Sequence, residues 1–197
     1  MEKIMIRSKA ISKALLLMIT VALAGLALAQ DVVHAVAGAV TRVDKAGKTI
    51  AIKAGDGSEQ VFKFTEHTAI RTSGAAAKGA KMGALDTYFA GKEGTRVVVR
   101  YMGKGADKTA TLVEDFGKDT LKTGKGTVTH VDKAARTVSV KTENGAEETY
   151  KLGSEAVVET GHGVVRGTRY VAKEGDKVAV HYTEEGGTKV VRFFQKL

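Results

Sequence analysis

Residues 38–72 read again at 126–160. The first copy runs GAVTRVDKAGKTIAIKAGDGSEQVFKF and the second GTVTHVDKAARTVSVKTENGAEETYKL. Of the 35 aligned positions 13 are identical, and most others exchange like for like, as Ile50 for Val138, Ile52 for Val140 and Phe62 for Tyr150. The match resumes as FAGKEGTRVVVRY at 89–101 against YVAKEGDKVAVHY at 170–182. One small unit used twice limits the architecture more tightly than any other feature, because each copy must close a core of its own or share one with its twin.

The local pattern within each copy is that of strands. Thr49-Ile50-Ala51-Ile52-Lys53 and Thr137-Val138-Ser139-Val140-Lys141 alternate apolar with small or polar side chains. A period of two means that one face is buried and the other wet. Gln60–Phe64 and Glu148–Leu152 alternate likewise, turning Phe62, Phe64, Tyr150 and Leu152 inward. Arg96–Tyr101 places Val97, Val99 and Tyr101 on one face, matched by Val178, Val180 and Tyr182. Lys108–Val113 and Lys189–Phe194 supply the last long strands, and Ala69-Ile70 and Val157-Val158 a marginal one in each copy. Asp56-Gly57 and Asn144-Gly145 are tight hairpin signals, since such turns need positive φ. Asp44 and Asp132 each open a turn, where an Asp side chain takes up free backbone N–H groups. Short strands with regular turns predict an all-β chain of two tandem barrels, five- to six-stranded and OB/SH3-like, because closure removes exposed sheet edges.

The copies part between the third and fourth long strands. The first carries an insert, Ser73–Thr87, with room for one or two helical turns weakened by Gly74, Gly79 and Gly83. The second has the glycine-rich Gly161–Gly167. Both read as surface loops, and they are where a ligand site would sit if the chain has one, since function tends to lie on loops held by a rigid scaffold.

Ahead of the repeats, Lys3, Arg7, Lys9 and Lys13 precede the apolar run Ala14–Ala27 and then Ala27-Leu28-Ala29. This is the layout of a secretory signal peptide, and the apolar run is too short to span a bilayer, which needs roughly 20 residues. The expected organisation is a cleaved signal at 1–29, a first barrel at 30–117 with the insert at 73–87, and a second barrel at 118–197. Export places the protein in the periplasm or outside the cell, with no stable membrane span after cleavage. The chain has no cysteine, so thiolate metal sites and cysteine nucleophiles are excluded.

The order Gly-x-Val-x-x-Val-Asp, Lys/Arg-Thr-Ile/Val-x-Ile/Val-Lys, a Gly turn, an aromatic strand and Glu-Gly-x-Lys/Arg-Val-x-Val-x-Tyr occurs in both copies. It resembles the small β-barrel domains of uncharacterised function in exported bacterial proteins, over residues 34–116 and 122–197. The resemblance implies a barrel in the cell envelope and brings no chemistry with it.

Residues 30–197 hold 27 basic and 21 acidic side chains, a net charge of +6 spread evenly over the two copies with signs mixed. Nucleic-acid binders concentrate their charge on one face, so no nucleic acid is expected. The histidines are not repeated: His34, His67, His130 and His181 align with Lys122, Glu155, Arg42 and Arg100, and His162 falls in the irregular loop. A metal site of the ancestral unit would occur twice, so no metal or other cofactor is expected; the alternative, a copper- or zinc-handling protein, would use His162 or the pair His130 and His181, which the strand pattern turns to solvent. No serine sits in a Gly-x-Ser-x-Gly turn, and no enzyme activity is expected. The sequence reads as a non-catalytic envelope binding module, with a structural or stress-related envelope role as a further alternative. Its partner is expected to be an anionic envelope component, a glycan or lipid headgroup, met by Arg96, Arg100 and Lys177 on outward strand faces and by Arg166 and Arg169 near the second loop.

Overall fold

Alternation along the repeats becomes strands wherever apolar side chains can be stacked on one face. The computed structural model describes residues 32–73, 81–82, 84–169 and 172–197. The expected signal peptide lies outside them, as does most of the insert, 74–80 and 83. The first copy contributes β1 (His34–Asp44), β2 (Thr49–Ala54), β3 (Glu59–Lys63), β4 (Ala69–Thr72), β5 (Lys81–Met82), the one-turn helix α1 (Leu85–Tyr88), β6 (Arg96–Met102) and β7 (Thr109–Asp115). The second contributes β8 (Lys122–Asp132), β9 (Thr137–Thr142), β10 (Glu147–Glu159), β11 (Val164–Arg166), β12 (Lys177–Glu185) and β13 (Thr188–Lys196).

Hydrogen-bonded neighbours form the circuit β1–β2–β3–β7–β6–β1 in the first copy and β8–β9–β10–β13–β12–β8 in the second. Each is a closed five-stranded barrel in the OB arrangement, with one parallel contact: Lys63 opposite Thr109 in the first, Lys151 and Leu152 opposite Val190 and Val191 in the second. Strands β4 and β5 extend the first sheet beyond β7, and β11 extends the second beyond β10; none of these belongs to a circuit. The loop reading of Gly161–Gly167 needs correction, while the insert does hold one of the helical turns allowed for it. Gly161–Gly167 contains β11, because Val164 and Val165 find pairing partners in Glu159 and Val158. The end of the insert forms α1, which sends Leu85 and Phe89 into the first core. The marginal strand of the second copy is not separate but the far end of the 13-residue β10.

The repeated motifs have repeated physical jobs. Asp44 Oδ1 accepts the Gly47 N–H at 2.9 Å, and Asp132 Oδ1 accepts the equivalent Ala135 N–H at 2.8 Å. Gly57 and Gly145 take φ of +86° and +85° in hairpins closed by Gly57 N–H to Ala54 O and Gly145 N–H to Thr142 O, both 2.9 Å. Register slips by one residue between Val40 and Arg42 and between Val128 and His130, the same bulge in each copy. Before it, Gly38 and Gly126 let the first strand run hard against the second: a Cβ there would lie 2.6 Å from Lys53 O and 2.1 Å from Lys141 O.

Each barrel has its own core. Val36, Val40, Ile50, Ile52, Phe62, Phe64, Val97 and Val99 belong to the first, and Val128, Val138, Val140, Tyr150, Leu152, Val178, Val180 and Phe194 to the second. The strand direction that joins β1 to β2 puts the starts of β1, β3 and β7 at one barrel end with the finishes of β2 and β6. There Lys108 donates to Gln60 Oε1 at 3.0 Å, with Nζ 5.7 and 5.4 Å from the Phe62 and Tyr101 ring centroids. The second barrel repeats the plug with Lys189 over Tyr150 and Tyr182, at 5.6 and 5.4 Å. Its carboxylate, Glu148, accepts Lys189 Nζ at 2.8 Å and the Tyr150 hydroxyl. Burial first and this carboxylate second push the Tyr150 phenol far up, while the bonds from Lys189 and Tyr150 hold Glu148 below the usual carboxylate value.

A third apolar cluster joins the barrels: Ala35, Ala37, Val98, Phe116 and Leu121 meet Val157 and Phe193, with Val164 packed against them. At one side of this seam Glu159, 7% exposed, accepts the Ala35 N–H at 2.8 Å and the Gly161 N–H at 2.9 Å and lies 3.2 Å from His34 Nδ1. Val164 N–H donates to Val33 O at 2.8 Å nearby. At another side His181, expected on a solvent face, is only 6% exposed. The face it occupies is covered by the first barrel: its Cε1 would lie 3.8 Å from a Cβ on Gly55. Its Nδ1 is 2.9 Å from Thr123 Oγ1 and its ring 5.5 Å from Phe193. Burial chiefly, and then the charges of Arg96 and Lys125, lower its pKa to about 4.

Two outcomes follow from this packing. Gly126→Ala and Gly38→Ala should each cost about 1–3 kcal/mol through forced strand separation, with Gly126→Ala the more severe because its contact is shorter; urea melts of both variants compare them. Acid should weaken the fold through His181. Between the unfolded value near 6.5 and the folded value of about 4, the unfolded chain takes up a proton that the folded chain refuses. This contribution is full above pH 6.5 and is lost as pH falls toward 4, by up to about 3 kcal/mol. The stability difference between wild type and His181→Gln should shift with pH across that window, and an unchanging difference would show that His181 does not titrate there.

Candidate functional site

The cleft with the most distinctive chemistry lies along the seam, built from elements outside or at the edge of the barrel circuits. Strand β4 carries Arg71 into it and β6 carries Arg100. From the second barrel come Ser154, Glu155, Ala156 and Val157 on β10, and Val164, Val165 and Arg166 on β11. The cavity is about 260 Å³. Arg71 and Arg100 line it from the first barrel, and the second adds Arg166, Glu155 and Ser154 among aliphatic side chains.

Arg100 is half-buried, and burial is the main cause that lowers its pKa. Glu114 and Glu155 act in the opposite sense, while Arg71 and Arg166 add to the lowering. It stays charged, since a guanidinium does not lose its proton in proteins. Its Nε is buried with no hydrogen-bond partner among the described residues. The carboxylates around it are engaged elsewhere: Glu114 accepts Ser73 Oγ at 2.6 Å, and Glu155 lies 3.7 Å from Arg71. Three guanidiniums thus face one small space, with two carboxylates nearby and a buried donor still free to bond. An oxyanion in the cleft would relieve the repulsion among the arginines, and a small turn of the Arg100 side chain would bring its buried Nε to bond it.

Of the five basic residues expected to bind, the structure brings Arg100 and Arg166 together in this cleft. Arg96 lies instead at a narrow hollow on the same seam with Ala37, Leu121, Thr123 and His181. Lys177 and Arg169 are exposed, at the start of β12 and in the turn after β11. The outward face shared by Arg96 and Arg100 is not a solvent face throughout. Val98 between them is 1% exposed because the second barrel covers it. Arg71 escaped sequence reasoning because β4 is short and its pattern marginal. The signal for a doubly covered strand was present in the unbroken run Val97-Val98-Val99, which is a mark of strands buried on both faces.

The histidines of the metal-handling alternative are not gathered. His181 is opposite Thr123 on β8, and His130 lies seven residues further along that strand, exposed and 3.8 Å from Glu174. His162 is exposed between β10 and β11. Among the described residues no three His, Asp or Glu side chains are grouped as a metal ion would require.

No family model and no curated protein matches this chain. Among solved structures it is similar to Escherichia coli CusF. A tryptophan-to-alanine CusF variant with Cu(II) aligns at 13% identity and a TM-score of 0.32, covering 42% of this chain and 98% of that one. An Ag(I) form of CusF aligns at 12% identity and TM-score 0.31, covering 39% and 97%. Apo-CusF from the same bacterium aligns at 16% identity and TM-score 0.30, covering 47% and 96%.

Proposed function

We propose that this protein is a non-catalytic binding module of the cell envelope that holds an anionic group of its ligand between its two barrels. The observation that carries the reading is the convergence of Arg71, Arg100 and Arg166 on one cleft, with the Arg100 Nε buried and unpaired among the described residues. Buried polar groups are normally satisfied, and exceptions call for a partner such as a ligand. The cleft's one hydroxyl, Ser154, has no histidine beside it in the lining to take its proton, which favours binding over hydrolysis. Export rests on the basic start, the short apolar run and the Ala27-Leu28-Ala29 site of the sequence.

Calorimetric titration with inorganic phosphate at low ionic strength tests the reading. Wild type should bind, and Arg100→Ala should weaken binding roughly ten- to hundredfold, the loss expected for a hydrogen bond to a charged group. Added salt should weaken it less than it weakens exposed ion pairs, because the cleft is partly shielded. Absence of phosphate binding by the wild type, or wild-type affinity in both Arg100→Ala and an Arg71→Ala/Arg166→Ala double variant, would remove the proposal.

A further inference from the structure

We infer that the cleft selects a phosphoryl group bearing a short uncharged substituent, in preference to a carboxylate of the same size. This deepens the anion-binding reading and rests on it. Three observations point the same way. The first is the choice of cation. The chain has 22 lysines and nine arginines, yet three arginines and no lysine line this one cleft. A generic positive patch has no need of that bias. The guanidinium fork is what distinguishes Arg from Lys, and it pairs two N–H groups with two oxygens of a planar or tetrahedral oxyanion.

The second is the number and origin of the forks. Arg71, Arg100 and Arg166 come from three different strands. A carboxylate presents two oxygens whose lone pairs lie in one plane, so one fork facing it squarely takes half of its accepting sites and any further fork must approach in that same plane. A phosphoryl group presents its oxygens tetrahedrally and offers separate directions to several donors. The third is the aliphatic wall. Val157, Val164 and Val165 line the space; Val157 is buried in the seam with Val164 packed beside it, and Val165 is one of the few large aliphatic side chains left exposed among the described residues. An unsubstituted anion leaves that wall wet, whereas a phosphoester covers it with its own carbon atoms. A cavity of about 260 Å³ sits just below the range of roughly 300 to 1,000 Å³ usual for drug-sized ligands. It therefore suits the phosphoryl group and the first few atoms of its substituent, with anything larger extending outside.

The test is calorimetric titration of the full chain with propyl phosphate, propionate and inorganic phosphate at low ionic strength. Propyl phosphate should bind at least about tenfold more tightly than propionate and more tightly than inorganic phosphate, the preference expected when one ligand satisfies forks that another leaves unpaired. Arg100→Lys and the exposed Arg166→Lys keep the charge and lose the fork, so each should weaken propyl phosphate several-fold while leaving propionate little changed. Flotation with phosphatidylcholine vesicles, with and without phosphatidic acid, separates the sources. Recruitment by phosphatidic acid assigns the site to a lipid headgroup; propyl phosphate binding without recruitment assigns it to a soluble phosphoester. Equal affinity for propionate and propyl phosphate, or wild-type affinity in both lysine variants, overturns the inference while leaving anion binding intact. Equal affinity for inorganic and propyl phosphate overturns the role of the aliphatic wall. Failure of every anion to bind removes the underlying reading as well.

Discussion

The molecule is organised by a strand that is apolar on both faces. Val97 and Val99 on β6 fill the first barrel, while Val98 points the other way and is covered by the second. A lone barrel with Ala35, Ala37 and Val98 on its outside would carry an exposed apolar patch, which soluble proteins avoid. Docking against Val157 and Phe193 removes it and fixes which surfaces meet. The other unusual features of the chain are side effects of that contact. A buried carboxylate, Glu159, is tolerable because backbone N–H groups on both sides of the seam bond to it. Burial in the seam chiefly, with the nearby charges of Arg96 and Lys125 second, disfavours the protonated form of His181. The arginine cleft lies beside the same contact, lined by β4 and β6 from one barrel and by β10 and β11 from the other.

The two barrels share a frame and differ in their fillings. The lysine that plugs each barrel end is at the same place, Lys108 and Lys189, over the same pair of aromatic positions. In the first barrel the surroundings are Val36, Phe62 and Gln60; in the second they are Gly124, Tyr150 and Glu148. These exchanges make sense only together. A Cβ at position 124 would lie 2.3 Å from the Tyr150 hydroxyl, so the added oxygen requires the glycine, and the buried phenol requires the carboxylate.

The sequence was most informative where one copy could be checked against the other. Alternation placed Ile50, Ile52, Phe62, Tyr150, Val97 and Val178 in the two cores, and the repeated Asp44/Asp132 and Gly57/Gly145 located the turns. Arg100 and Arg166 were singled out before their proximity was known. What could not be read is what depends on contact between the copies. A period of two reports which side chains share a face, not what covers that face, so Arg100 and His181 were both turned toward solvent. Arg71 aligns with Glu159 of the other copy, and both became important through the seam, which neither copy encodes alone. The loop Gly161–Gly167 looked irregular because β11 is a three-residue strand whose pairing partner is supplied by the unforeseen extension of β10.

Strand β11 and the turns around it lie outside the closed ring of hydrogen bonds that defines the second barrel. Exchanging residues 161–169 leaves every rung of that ring in place. The same stretch carries Arg166, Val164 and Val165, half of the cleft's distinguishing chemistry. This stretch also closes the seam, through Val164 against the third cluster and the bonds of Val164 N–H to Val33 O and of Gly161 N–H to Glu159. A change in residues 161–169 is therefore felt at the cleft and at the seam while both five-stranded rings keep their hydrogen bonds.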